Sequence, residues 1–392
     1  MKITRRFLLA FLFLPPLTLS SLGSQAPNRT YTVLVGTYTD KTGSKGIYAF
    51  DFDPSTGKLT PKGLAAETPN PSWIAVHPNG KWIYAANESG KQSTISAFSL
   101  DDKKANLALL NQLPSEGEDP CYLSFDKSGK YLFVANYTSG TVAVFPILRD
   151  GKLGAPTSVV RDAGPLGPNK QRQEGPHAHW VGAHGNAVFV ADLGLDRVLL
   201  YRFDPVNGAL RKAPAPDARH PFFSKDLDLY PGTGPRHVAI SSSKTGHGLV
   251  YVLGELDSTV SVFITTIEGN YSGLPGQKIT MLPTEFTGRN DAAEIAVHPS
   301  GKWLFASNRG HDSIAVFAID PQKGTLTPSG DFSTGGKEPR HFALDPTDQF
   351  LLAENQYSNN IVVFRIDPVS GALTQISTTN NIPSPVCLAF LP

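Results

Sequence analysis

Sulfur is scarce in this chain of 392 residues, which holds 2 Cys and 2 Met. Two thiols cannot build a disulfide framework or a four-thiolate zinc site. Charge of one sign is also missing: 35 Lys and Arg stand against 34 Asp and Glu, for a net charge of +1. That balance excludes the basic footprint of a protein that coats nucleic acid. Long apolar runs are absent as well, since the one uninterrupted stretch, Phe7 to Leu14, falls short of the about 20 residues that span a bilayer. No Gly-x-Ser-x-Gly elbow, phosphate loop or Rossmann glycine fingerprint occurs, which removes the common covalent hydrolases and the nucleotide enzymes.

Turn-forming residues are plentiful. The chain has 36 Gly and 32 Pro, together well above the roughly 12% of average usage. Its 22 Phe, 12 Tyr and 4 Trp argue against disorder. Many tight turns between aromatic and β-branched runs indicate an all-β protein.

Residues 1–26 have the order of a secretory signal peptide: a basic start (Lys2, Arg5, Arg6), the apolar run, Pro15-Pro16, and a small-residue end at Ser24-Gln25-Ala26. The pair Arg5-Arg6 before Phe7-Leu8-Leu9 also matches a twin-arginine signal. Its removal takes the net charge from +1 to about −2 by the same count, and no Cys follows that could carry a lipid. A periplasmic or secreted, monomeric protein without a membrane anchor is expected.

Internal repetition sets the architecture. Pro71 to Asn87, Pro120 to Asn136 and Ala293 to Asn308 each read as strand, Gly-containing turn, strand. A third strand follows, as in Val142-Ala-Val-Phe145, Val260-Ser-Val-Phe263 and Ile361-Val-Val-Phe364. An Asp-Pro-x-x-Gly-x-Leu turn often comes next, as at Asp53 to Leu59 and Asp367 to Leu373, with Pro presetting φ and Gly accepting φ > 0. The opening Pro recurs at Pro71, Pro120, Pro176, Pro235, Pro339 and Pro385, with Ala293 in its place once, at intervals of 46 to 59 residues. Seven first strands result. The last, Pro385 to Phe390, lacks a second strand, whereas Tyr31 to Thr37 and Gly46 to Phe50 lack a first. The two ends complete one another, predicting a seven-bladed β-propeller of four-stranded antiparallel blades over residues 27–392. The stretches 161–176 and 212–234 are insertions, not domain boundaries. Cys121 and Cys387 fall on blades two apart, so a bridge between them is not expected.

First strands line the channel of a propeller, and the start of strand one lies beside the end of strand two. One rim therefore gathers Trp73, Tyr122, His177, His179, Arg236, His237, Glu294, Arg340, His341 and Val386 with Asn87, Glu88, Asn136, Tyr137, Asp192, Glu255, Asn308, Arg309, Asn355 and Gln356. Arg236, Arg309 and Arg340 repel one another unless an anion sits between them, and Glu255 is their natural counter-ion. His237 and His341 alternate with arginines, so one of each pair is expected to face away from the channel. Asn136 and Asp192 suit strand-end turns with a secondary ligand contact. His177 and His179, two apart, share a strand face, yet no third ligand completes a metal set. Neither metal nor cofactor is expected.

These motifs, with Gly36-Thr-Tyr-Thr39, Gly175-Pro-His-Ala-His179, Gly234-Pro-Arg-His237, Gly254-Glu-Leu256, Ser307-Asn-Arg-Gly310 and Pro339-Arg-His341, resemble the seven-bladed propeller lactonases. That family includes bacterial 6-phosphogluconolactonases of the cycloisomerase type and the fungal carboxymuconate lactonising enzyme. The resemblance runs from about residue 31 to 391 and implies lactone hydrolysis without metal or covalent intermediate. It places the family's His, Arg, Glu and Arg on His179, Arg236, Glu255 and Arg309; His177, Arg340, His237, Asn136 and Asp192, on the same rim, are expected as substrate contacts. A small anionic sugar-acid lactone is the expected partner, with Glu255 or His179 taking the proton from water. A non-catalytic propeller that binds protein or glycan, or a lactone-forming cycloisomerase, is the alternative.

Overall fold

The computed structural model describes residues 30–101, 105–185, 187–212, 226–264 and 274–392. The predicted leader, residues 1–26, lies outside them. Seven antiparallel sheets of four consecutive positions form the blades, and the fourth blade carries an added two-residue strand, Leu227–Asp228. The final strand, Pro385–Phe390, pairs with the first, Tyr31–Thr37, with Leu34 opposite Ala389 and Val35 opposite Leu388. Chain ends thus share blade 1, and the ring has no open edge. Among the described residues no helix is long and apolar enough to cross a membrane.

Blades stack through apolar faces. A separate buried cluster fills each of the seven interfaces; between blades 2 and 3, for instance, Tyr84, Ile95 and Ala97 meet Leu132, Val134 and Phe145. The alternating pattern of each strand supplies one set of side chains to the blade before and another to the blade after. The Asp-Pro-x-x-Gly turns form as expected. The Asp367 Oδ1 accepts the Val369 N–H at 2.9 Å, and the Gly371 N–H bonds the Asp367 carbonyl at 2.8 Å with Gly371 at φ 71°. Cys121 and Cys387 are free and buried.

Every first strand contains a register shift near its start, where one or two residues have no partner on the second strand. The residues before the shift are Pro71, Pro120, Ala178, Pro235, Ala292, Pro339 and Pro385. This corrects the sequence alignment at two blades: Ala178, not Pro176, opens its strand and precedes the bulge, and Ala292, second residue of Asp291–Val297, precedes the bulge in place of Ala293. A β-bulge adds a residue without changing the surrounding apolar pattern, so repeat matching misplaces the phase by the loop residues that precede it.

The bulge also overturns the expected alternation of Arg236 with His237. Both side chains lie on the channel side: Arg236 reaches Glu255, while the His237 ring meets Tyr122 and Trp73 at centroid distances of 5.1 and 5.5 Å. Arg340 and His341 repeat this, with Arg340 on Tyr38 and the His341 ring 5.3 Å from Trp73. Below the bulges, Trp73, Tyr122, His237, Glu294 and His341 pack across the channel as the floor of the mouth.

Candidate active site at the channel mouth

Two register positions supply the mouth. The first is the bulge, occupied by Ser72, Cys121, His179, Arg236, Ala293, Arg340 and Val386 in blade order from 2 round to 1. The second is the residue after the one that pairs with the pre-bulge position: Tyr38, Glu88, Tyr137, Leu193, Glu255, Arg309 and Gln356 in blades 1 to 7, each just past the end of strand two except Arg309, which ends Trp303–Arg309. Backbone bonds hold this second position. The N–H groups of Tyr38, Glu88, Tyr137, Leu193, Glu255 and Gln356 donate to the carbonyls of Ser384, Asn70, Asp119, His177, Gly234 and Glu338, each immediately before a first strand. Five of those six acceptor residues have φ between 41° and 60°. Gly234 adopts that left-handed conformation at no steric cost, whereas the side chains at the others carry some strain.

Blades 3 to 6 build a charged cluster on Glu255. Its Oε1 accepts from Arg172 Nη2 at 2.5 Å, and its Oε2 lies 3.1 Å from both Arg236 Nε and Arg309 Nη2. Burial pushes the Glu255 carboxyl up, but Arg309, Arg236 and Arg172 overcome that and hold it down to about 2. Arg236 is 3% exposed. Burial, then the positive charges of Arg309 and Arg340, pull its guanidinium down to about 10. Its Nη1 donates to the Ala293 carbonyl and lies 3.3 Å from His237 Nε2. The Nε–Glu255 approach is within ion-pair distance yet not aligned as a hydrogen bond, so this buried donor is left unsatisfied.

His179 stands beside this cluster, its ring centroid 5.2 Å from His237 and 5.5 Å from Tyr137. Burial, then the charges of Arg236, His237 and Arg340, hold it well below the usual histidine range. It is a neutral imidazole at neutral pH, and its buried Nδ1 has no hydrogen-bond partner. Across the mouth, blades 7, 1 and 2 form a second group. Arg340 Nη2 donates to the Tyr38 hydroxyl at 2.8 Å, and that hydroxyl donates to Glu88 Oε2 at 2.8 Å. No group of three or more His, Cys, Asp or Glu among the described residues is placed to hold a metal ion.

The family described as Lactonase, 7-bladed beta-propeller, matches residues 32–390. The chain belongs to this lactonase family. A 6-phosphogluconolactonase of Bacillus subtilis is 35% identical to it over 364 residues, covering 92% of this chain and 98% of the relative. A 6-phosphogluconolactonase of Formosa agariphila is 33% identical over 321 residues, covering 79% and 84%. Among solved structures, the Pseudomonas aeruginosa periplasmic gluconolactonase superposes with a TM-score of 0.83 at 31% identity, covering 93% of this chain and 99% of that one. The lactonase fold and family make this chain a lactone-hydrolysing enzyme, against the non-catalytic alternative.

In this lactonase the structure brings together His179, Arg236, Glu255 and Arg309, with Arg340 across the mouth. Four other residues expected at the substrate take scaffolding positions. Asn136 is 0% exposed, its amide donating to the Ser115 carbonyl and the Thr141 hydroxyl at 3.0 and 3.1 Å. Asp192, equally buried, accepts the His177 and Leu195 N–H groups at 2.9 and 3.0 Å. Both end strand two, one residue before the mouth position, where alternation turns the side chain toward its own loop. His177 does not share a strand face with His179. It precedes its strand, Ala178–His184, and stacks on Tyr137 at 4.5 Å, with Nδ1 on the Tyr137 carbonyl and Nε2 on Glu174. His237 has one ring nitrogen against Glu294 and the other against Arg236, so it steadies the arginine from behind.

Sequence reasoning missed two residues. Arg172 comes from the 161–176 insertion and reaches both Glu255 and the Tyr137 hydroxyl; nothing repeats there to mark it. Tyr38 was legible in principle, since it follows Thr37 as Glu255 follows Gly254.

Proposed function

We propose that this enzyme opens a sugar-acid lactone by attack of water, with the neutral imidazole of His179 as general base and Glu255 as a permanently ionised anchor for the arginines. The names of its relatives, 6-phosphogluconolactonase and gluconolactonase, support a gluconolactone-like substrate. One observation carries the assignment of roles: both Glu255 oxygens are engaged by three guanidiniums. A carboxylate held at about 2 is too weak a base to take a proton from water near neutral pH.

Lactone opening places negative charge on the carbonyl oxygen as water adds. Arg236 and Arg309 stabilise that oxyanion, and Arg236 gains most, because its buried charge is crowded by two others and its Nε lacks a bond. His179 accepts the proton of the attacking water. As the ring C–O bond breaks, the imidazolium returns the proton to the departing alkoxide, leaving hydroxy acid and neutral histidine. The leader of residues 1–26 supports export of the enzyme, which N-terminal sequencing of the mature protein from a periplasmic or culture fraction checks. The role assignment is tested with a pH-stat, subtracting spontaneous opening. Arg236→Ala and His179→Asn, each still folded, lose lactonase activity; full activity in both refutes the assignment.

A further inference from the structure

The two halves of the mouth differ in charge balance. Around Glu255 stand Arg172, Arg236 and Arg309, so cations are in excess where the oxyanion and the product carboxylate form. In the other half a single cation, Arg340, faces a single anion, Glu88, through the Tyr38 hydroxyl. Burial keeps that phenol protonated well above its ordinary range, and its one proton is committed to Glu88. It accepts from Arg340 and has nothing to donate to a ligand.

We propose that Tyr38, Glu88 and Arg340 form a polyol subsite that reads the uncharged, hydroxyl-bearing end of the lactone, and that Glu88 makes the enzyme discriminate against a phosphate there. This rests on the lactone-hydrolysing reading of the same mouth. Glu88 Oε2 accepts the hydrogen bond of the Tyr38 hydroxyl, while Oε1 has no partner among the described residues. Arg340 likewise keeps N–H groups beyond the one given to Tyr38. A free acceptor beside free donors matches a sugar hydroxyl, which both gives and accepts a hydrogen bond. A phosphate dianion only accepts, and it meets the Glu88 carboxylate as a like charge in a half-buried site where screening is weak. Arg340 alone, already facing Glu88, does not compensate it. The subsite is held by the same backbone bonds as the reacting half, from the Ser384 carbonyl to Tyr38 and the Asn70 carbonyl to Glu88, so it is preformed.

The experiment compares kcat/KM for glucono-δ-lactone and its 6-phosphate on the wild type and on Glu88→Gln, which keeps shape and removes charge. The wild type is expected to favour the unphosphorylated lactone at least tenfold, and Glu88→Gln to move the ratio at least tenfold toward the phosphate. If Glu88→Gln does not fold, Glu88→Met carries the comparison. A wild type that prefers the phosphate, or a ratio that Glu88 substitution leaves unmoved, overturns the proposal. If neither lactone is opened, the lactonase reading fails separately; calorimetric titration with gluconate and 6-phosphogluconate then reads the same preference. Weaker binding of 6-phosphogluconate, relieved in Glu88→Gln, supports the subsite, and equal binding refutes it.

Discussion

Neighbouring positions at the end of strand two behave in opposite ways. The residue paired with the one before the bulge is repetitive: Asn87, Asn136, Asn308 and Asn355 all turn an amide back to the carbonyl of the loop before their own first strand, at Pro69, Ser115, Met281 and Thr334. The next residue has no common type, running Tyr38, Glu88, Tyr137, Leu193, Glu255, Arg309, Gln356. In a ring of similar units, a residue type that recurs, as Asn does in four of the seven blades with Thr37, Asp192 and Gly254 in the others, answers a structural need those units share, which here is the satisfaction of a buried loop carbonyl. Chemistry acts at one place on the ring, so it resides where the units depart from one another. The bulge position follows the same rule, with His179, Arg236 and Arg340 against Ser72, Cys121, Ala293 and Val386.

The comparison predicts that substitutions at irregular positions change kinetics and those at the repeated position change stability. His179→Asn has the largest expected effect, a loss in kcat of about 10²–10⁴-fold, as for removal of a general base. Arg236→Ala follows, at about 10²–10³-fold from lost oxyanion stabilisation. Both are read by pH-stat on protein whose thermal unfolding confirms the fold. His237, behind Arg236, couples the two kinds of effect through pH. Burial, only partly opposed by Glu294, lowers its folded pKa from 6.5 to about 4. Between those values the unfolded chain binds the proton and the folded one does not, so stability falls as pH drops from 6.5 toward 4. The loss is on the order of 3 kcal/mol. Urea denaturation at pH 7 and at pH 4.5 should show a smaller difference in His237→Asn than in the wild type. The smallest effect belongs to Asn136→Ala, which strands the Ser115 carbonyl and costs about 1–3 kcal/mol while kcat/KM stays unchanged. A kinetic defect in Asn136→Ala with native stability would break the comparison.

Much of this was legible in the sequence because repetition reports on itself. Seven first strands, the complementary ends at Tyr31 and Phe390, and the coincidence of Arg236, Glu255 and Arg309 on one rim all follow from aligning the units. The phase within a unit was not legible. A bulge leaves the apolar pattern of Trp180-Val181 or Ile295-Ala296 intact, so Pro176 passes for Ala178, and the strict alternation assumed for Arg236 and His237 fails at that residue. Arg172 was hidden for the opposite reason. It lies in a segment with no counterpart in other blades, and only the folded chain brings it across to Glu255, 83 residues away in sequence. Tyr38 escaped because blade 1 is assembled from both ends of the chain, which conceals its register.

Whether His179 or Glu255 takes the proton is the central claim, and the pH dependence of kcat/KM for the wild type, Glu255→Gln and His179→Asn decides it. The account predicts an acid limb in the wild type below the ordinary histidine range, since His179 stays neutral until well under 6.5. Glu255→Gln should keep an acid limb at a lower plateau, and His179→Asn should lose it. A limb that vanishes in Glu255→Gln and survives in His179→Asn would make the carboxylate the base and contradict the account.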